Sequence, residues 1–219
     1  MNIKTCVTRR LSALALAAIC ALLAAPSASE ASTIAYGVSI NTSSLPAGSA
    51  PYALDFQLLG GSPLGNTVTI DHFDFGGGLA TNNPAATTIG LAGGSLGSSV
   101  TLSDSGVSFF NEFYQGFTPG ATLSFIFVLS TNVNGPTPDA FSIAILDKNL
   151  LNIPTGGVGD ALLLVNIDKA NAFVQTFAGT GAFSGVTVTA TALPEPGSLT
   201  LLGVGLAGAG ARRWRKRRA

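Results

Sequence analysis

The chain holds one histidine, His72, and it stands close to two carboxylates, Asp71 and Asp74. Such a trio could move protons through an imidazole tuned by neighbouring acids, or it could hold a metal. One imidazole without a thiolate is a thin donor set for zinc. On a regular strand, moreover, Asp71 and His72 point to opposite faces. A structural or surface histidine is the expectation. The segment Gly93-Gly94-Ser95-Leu96-Gly97 spells G-x-S-x-G, the string of a nucleophile elbow. That chemistry needs a strand, a sharp turn and a helix, with a histidine base held by an acid. Here the surroundings are a Gly/Ser/Ala loop with no helix after it, so no catalytic residue is assigned. Asp139, Asp147, Asp160 and Asp168 could offer oxygen to calcium from sheet edges. They form no recognised loop motif and are expected to be solvated turn acids, so neither a metal ligand nor a cofactor is assigned.

Phe109, Phe110, Phe113, Tyr114 and Phe117 form a dense aromatic run. Sugar-binding faces use exposed rings, often Trp, whereas this middle region has no Trp. Core packing is therefore the expectation, with a ligand or partner patch as the alternative. Asn41-Thr42-Ser43 is a glycosylation sequon by pattern only.

These residues sit in a chain of 219 with 47% hydrophobic and only 10% charged residues. An ordinary soluble domain carries about 25% charged residues. The charges are also segregated. Between Ser32 and Ala211 there are two bases, Lys148 and Lys169, against ten acids, a net of −8. So acidic a body repels nucleic acid, whose binding rests on neutralising phosphates, and no nucleic-acid partner is expected. Cys6 and Cys20 both lie near the N-terminus, so residues 32–192 have no disulfide, thiolate metal site or cysteine nucleophile.

The elements that must position everything else are strands. Ile34, Tyr36, Val38 and Ile40 alternate with small or polar residues. The same alternation recurs at Leu54, Phe56 and Leu58; at Leu123, Phe125, Phe127 and Leu129; at Phe141, Ile143 and Ile145; and at Val186, Val188 and Ala190. Residues 161–167 are more continuously apolar and read as a central strand buried on both faces. Val68 and Ile70 share one parity while Phe73 and Phe75 share the other. This predicts either a bulge near Asp71 and His72 or cover on both faces. The Gly/Ala/Asn/Thr-rich stretch 76–97 reads as weakly ordered or edge-forming. Short strands with turn-rich links predict an all-β fold, a single antiparallel β-sandwich, jelly-roll-like, over residues 32–192.

Both ends differ from this body. Lys4, Arg9 and Arg10 precede an apolar run over residues 11–25, then small residues up to Ala31. That is the layout of a secretory signal peptide over residues 1–31, removed by signal peptidase. The apolar run is short for a membrane span, which needs about 20 residues. Arg9-Arg10 lacks the continuation of a twin-arginine signal, and Ile19 before Cys20 does not suit a lipoprotein signal. At the other end, Pro194-Glu195-Pro196 breaks the pattern, since two prolines end a helix or a ladder. An uncharged run over residues 198–211 follows, then Arg212, Arg213, Trp214, Arg215, Lys216, Arg217 and Arg218. This predicts a short transmembrane helix with its basic cluster on the cytoplasmic side and the main domain outside.

This tripartite end resembles the PEP-CTERM sorting signal of Gram-negative bacteria: Pro194-Glu195-Pro196, a small-residue apolar stretch, and a terminal Arg cluster. Many members have Val before the motif, where this chain has Leu193. The resemblance implies recognition by exosortase, a membrane transpeptidase that removes the tail near the motif. The protein is then released, or attached to the cell surface or exopolysaccharide matrix. Residues 109–120 and 138–147 are also similar to outer domains that accompany this signal, a family without an assigned function. The expected protein is non-enzymatic, exported, transiently membrane-anchored, and then part of the surface or extracellular matrix. The alternative is an extracellular polysaccharide-binding module, calcium-dependent or not.

Overall fold

Side chains of a strand point alternately to its two faces, so an apolar alternation buries one face, and two such faces laid together make a core. The computed structural model describes residues 33–61, 65–105, 108–130, 139–168 and 171–194. The predicted signal peptide, the apolar helix 198–211 and the basic tail lie outside the described residues. The strands are β1 (Thr33–Asn41), β2 (Tyr52–Leu59), β3 (Thr67–Asp74), β4 (Leu79–Ala80), β5 (Thr87–Ile89), β6 (Ala92–Gly94) and β7 (Val100–Ser103). They continue as β8 (Phe110–Thr118), β9 (Thr122–Ser130), β10 (Asp139–Leu146), β11 (Leu163–Asp168), β12 (Asn171–Thr176) and β13 (Val188–Leu193).

The strands form two antiparallel sheets. One has the order β13-β1-β9-β3-β7-β6; the other is β12-β11-β10-β2-β8-β4, with β5 also paired to β8. Strands β1 to β3 change sheet at every step, and β7 to β10 do so again. On the return, β9 enters between β1 and β3, and β8 between β2 and β4. This interleaving is the jelly-roll arrangement that the sequence predicts.

The core lies between the sheets and is aromatic at its centre. Phe56 on β2 meets Phe113 and Phe141 on neighbouring strands and crosses to Phe125 on β9, edge to face, at 5.7 Å. Phe127 and Phe141 make a second cross-sheet pair at 5.3 Å. Each such pair adds about 0.5–1.5 kcal/mol beyond burial alone.

The parity change in β3 is a bulge. Asp71 pairs with Ile126 but Asp74 pairs with Ser124, and His72 takes φ +55 between them. The extra residue lets Val68, Ile70 and Phe73 all pack with the core. It also corrects the expectation that Asp71 and His72 diverge, because their side chains are hydrogen-bonded at 2.6 Å. A second correction concerns β11. It is not buried on both faces: Leu163, Val165 and Ile167 are buried, while Leu164 and Asn166 are only partly so.

The stretch 76–97 is edge-forming. It supplies β4, β5 and β6, and the inner face of β8 fastens it. Asn111 and Gln115 alternate there with Phe113 and Phe117, all buried. Asn111 Oδ1 accepts the Leu91 N–H at 2.8 Å, Gln115 Oε1 accepts the Leu96 N–H at 2.9 Å, and Gln115 Nε2 donates to the Thr81 carbonyl at 3.0 Å.

Candidate functional site

The sorting end begins where the folded sheet stops. β13 is an edge strand, paired antiparallel with β1, and Leu193 lies opposite Ala35. Pro194 follows, exposed and without an N–H to continue a ladder. Because β1 and β13 run in opposite directions, Thr33 and Pro194 stand at the same end of the sheet. Glu195, Pro196 and the cluster Arg212, Arg213, Arg215, Lys216, Arg217 and Arg218 lie outside the described residues.

A second arrangement occupies the outer face of the larger sheet, where the in-between residues of β2 and β8 project. Gln57 Nε2 donates to Asp55 Oδ2 at 2.7 Å and to Glu112 Oε1 at 3.1 Å, so one amide holds two carboxylates. Asp55 is almost fully buried between Tyr114 on β8 and Ala144 on β10. Burial, reinforced by the nearby Glu112 charge and opposed by the Gln57 amide, pushes its carboxyl up to about 7. Burial raises Glu112 as well. The register carries this polar row across the sheet, from Glu112 through Gln57, Ser142 and Leu164 to Gln175.

The aromatic run divides between the two faces. Phe113 and Phe117 enter the core, Phe110 and Tyr114 are partly exposed on the outer face, and Phe109 is 65% exposed just before β8. Phe173, 57% exposed on β12, joins the outer face from the far edge. A period-2 strand with rings at both parities cannot be assigned from sequence; core packing holds for Phe113 and Phe117, while Phe109, Phe110 and Tyr114 lie outside the core.

The remaining candidates stay apart. Ser95 sits in the turn between β6 and β7, and its hydroxyl accepts the Gly97 N–H at 3.1 Å, so the G-x-S-x-G string lies in a hairpin and not at a strand-to-helix elbow. His72 Nδ1 contacts Asp71, not Ser95, and Asp74 accepts the Gly76 N–H. Asn41 Oδ1 accepts from the Ser43 N–H and hydroxyl, closing a local turn. Asp147 caps the turn to Asn149 and Leu151, Asp160 accepts the Thr155 N–H, and Asp168 is exposed at the end of β11.

Asp139 differs from these three. It is buried at the start of β10 and accepts from the Gly61 N–H and from Asn66 Nδ2. Burial raises its carboxyl to about 6; the Gly61 N–H opposes this and the Asp104 charge adds to it. Asn66 and Asp104 carried no signal in the sequence. Each sits one residue outside a strand end, where a polar side chain reads as a solvated turn.

Among the described residues no helix is long and apolar enough to cross a membrane, and no cluster of three His, Cys, Asp or Glu residues could hold a metal. Residues 192–218 match the family model described as the PEP-CTERM protein-sorting motif, so the match begins on the last two residues of β13. Comparison with curated proteins and with solved structures gives no match.

Proposed function

We propose that the β-sandwich of this chain, which its PEP-CTERM sorting motif marks as an exosortase-targeted secreted or surface protein, is a non-enzymatic module of the cell surface or extracellular matrix, delivered there by removal of the tail. The sorting motif carries this reading. The exposed Pro194 directly after the edge strand supports it, since a transpeptidase needs an extended substrate held clear of the ladder. The acidic body, poor in bases, suits an exported protein that stays off nucleic acid. The test is mass spectrometry of the surface and matrix fractions. With exosortase present, no peptide containing Trp214 is expected; in its absence the Trp214 peptide stays with the membrane fraction. Intact tails on surface protein from the exosortase-positive host would refute the processing step.

A second reading is an exopolysaccharide-binding module. The row of Glu112, Gln57 and Ser142, flanked by Tyr114 and Phe110 on β8, favours it. Sugar hydroxyls pair with such carboxylates and amides, and ring faces stack on sugars. Binding of the exported protein to host exopolysaccharide should weaken in Tyr114→Ala and Glu112→Gln. Equal retention of both variants would sink it.

A further inference from the structure

At one end of the sandwich, three buried polar residues from both sheets are linked through backbone and side-chain hydrogen bonds. Asn66 precedes β3 and Asp104 follows β7, in the smaller sheet. Asp139 opens β10 and Gly61 follows β2, in the larger one. The Asp104 N–H donates to the Asn66 carbonyl, and Asp104 Oδ1 accepts the Gly65 N–H at 2.7 Å. Asn66 Nδ2 reaches across the sheets to Asp139 Oδ2. Asn66 and Asp104 are 0% exposed and Asp139 is 3% exposed.

Among the described residues this knot is rich in oxygen and poor in positive charge. Asp104 Oδ2 and Asn66 Oδ1 are buried and find no hydrogen-bond donor among the described residues. Two carboxylates are buried near one another, yet the one Lys or Arg among the described residues is Lys148, whose ammonium donates to the Gly48 carbonyl at 2.8 Å. A buried carboxylate without a counter-charge is destabilising, and an orphaned buried oxygen adds to that cost. Of the four buried side-chain atoms without a partner among the described residues, two fall in this knot.

We propose that Asp104, Asp139 and Asn66 form a calcium site that clasps the two sheets together. Two carboxylates balance the charge of one divalent cation. The free oxygens of Asp104 and Asn66, with Asp139 beside them, begin an oxygen shell that backbone carbonyls and water complete. Calcium takes six to eight oxygens in irregular geometry, whereas magnesium demands a near-ideal octahedron and parts reluctantly with its water. An all-oxygen set without histidine or thiolate turns zinc away. Affinity should fall in the range of extracellular modules, a Kd of about 10⁻⁴–10⁻³ M. The site depends on the fold of residues 33–194 and is indifferent to the fate of the tail.

The test uses the full-length exported protein, stripped with chelator and titrated with calcium alone, then with magnesium alone. One saturable calcium site is expected, with a rise in Tm of about 5–10 °C at 100 times Kd. Magnesium at the same concentration should give less than half that shift. Asp104→Asn should weaken calcium binding at least tenfold and melt no lower than wild type in chelator, because it removes an uncompensated charge. Asp147→Asn, a turn cap, should bind as wild type. Should Asp104→Asn fail to fold, Asp139→Asn provides the same reading, and the wild-type titration stands without either. A wild-type Tm unmoved by calcium, an Asp104→Asn protein with undiminished calcium affinity, or an equal magnesium response would each overturn the proposal.

Discussion

Gln115 Oε1 accepts the Leu96 backbone N–H at 2.9 Å, so a polar side chain on the core face of β8 holds the hairpin that covers the sandwich edge. The same amide donates to the Thr81 carbonyl. Gln115→Leu keeps the volume but strands a buried donor at Leu96 and a half-buried acceptor at Thr81. It should cost about 2–4 kcal/mol, measured by denaturant unfolding. Amide exchange at Leu96 should rise more than at β9. Unchanged stability would show that the loop can reach water instead.

Phe56→Ala removes the ring that joins Phe113, Phe125 and Phe141. A loss of roughly 3–5 kcal/mol is expected for a fully buried aromatic. Phe173→Ala, on an exposed ring, should change stability by less than about 0.5 kcal/mol. Thermal unfolding of the two variants side by side is the check.

Asp55 ties stability to pH. Its ordinary value is 3.8 and the fold lifts it to about 7. Between these values the folded state holds a proton that the unfolded state has released. Stability from this group is therefore complete below about pH 4, falls as pH rises, and levels off above about pH 7. The total loss is on the order of a few kcal/mol. Glu112 shifts in the same direction, also through burial, and adds to the loss. Asp139, lifted to about 6, adds a loss of the same sign; Asp55→Asn should therefore make the profile shallower, not flat, and raise stability at pH 8. A wild-type protein as stable at pH 8 as at pH 5 would contradict this.

At the bulge, His72 holds φ +55. His72→Gly should be neutral to mildly stabilising, while His72→Val should cost about 1–2 kcal/mol, since a β-branched residue suffers most in the left-handed region. Urea midpoints of the two variants give the comparison.

Leu193 is still paired when the sorting motif begins at Pro194. A six-residue Gly/Ser linker inserted between them should leave tail removal intact or hasten it, because it moves the motif off the sheet. Pulse-chase of the exported protein reads the rate. Slower trimming would mean that exosortase recognises the folded edge along with the motif.

A strand face was legible where every inward residue is apolar, as at Leu123, Phe125, Phe127 and Leu129 on β9. Even the β3 bulge announced itself, through the parity jump from Ile70 to Phe73. Polar residues on the inner side were not legible. Asn111 and Gln115 look solvated beside Phe110 and Tyr114, and only the covering loop reveals which parity is buried. Asp104 and Asp139 are likewise 35 positions apart in the chain, joined by cross-sheet geometry that no local pattern records. The outward Asp55 reads as an ordinary surface acid, and its burial comes from neighbours on two other strands.

The first and last strands are neighbours in one sheet, and this decides how the molecule can stand. Thr33 and Pro194 share one pole of that sheet with Asn66 and Asp104, since Thr33 and Thr67 both adjoin Ser130. The corner from Thr118 to Thr122 marks the opposite summit. A tag or fluorophore seated there would lie at the end of the sandwich farthest from the sorting motif and would leave Pro194 undisturbed.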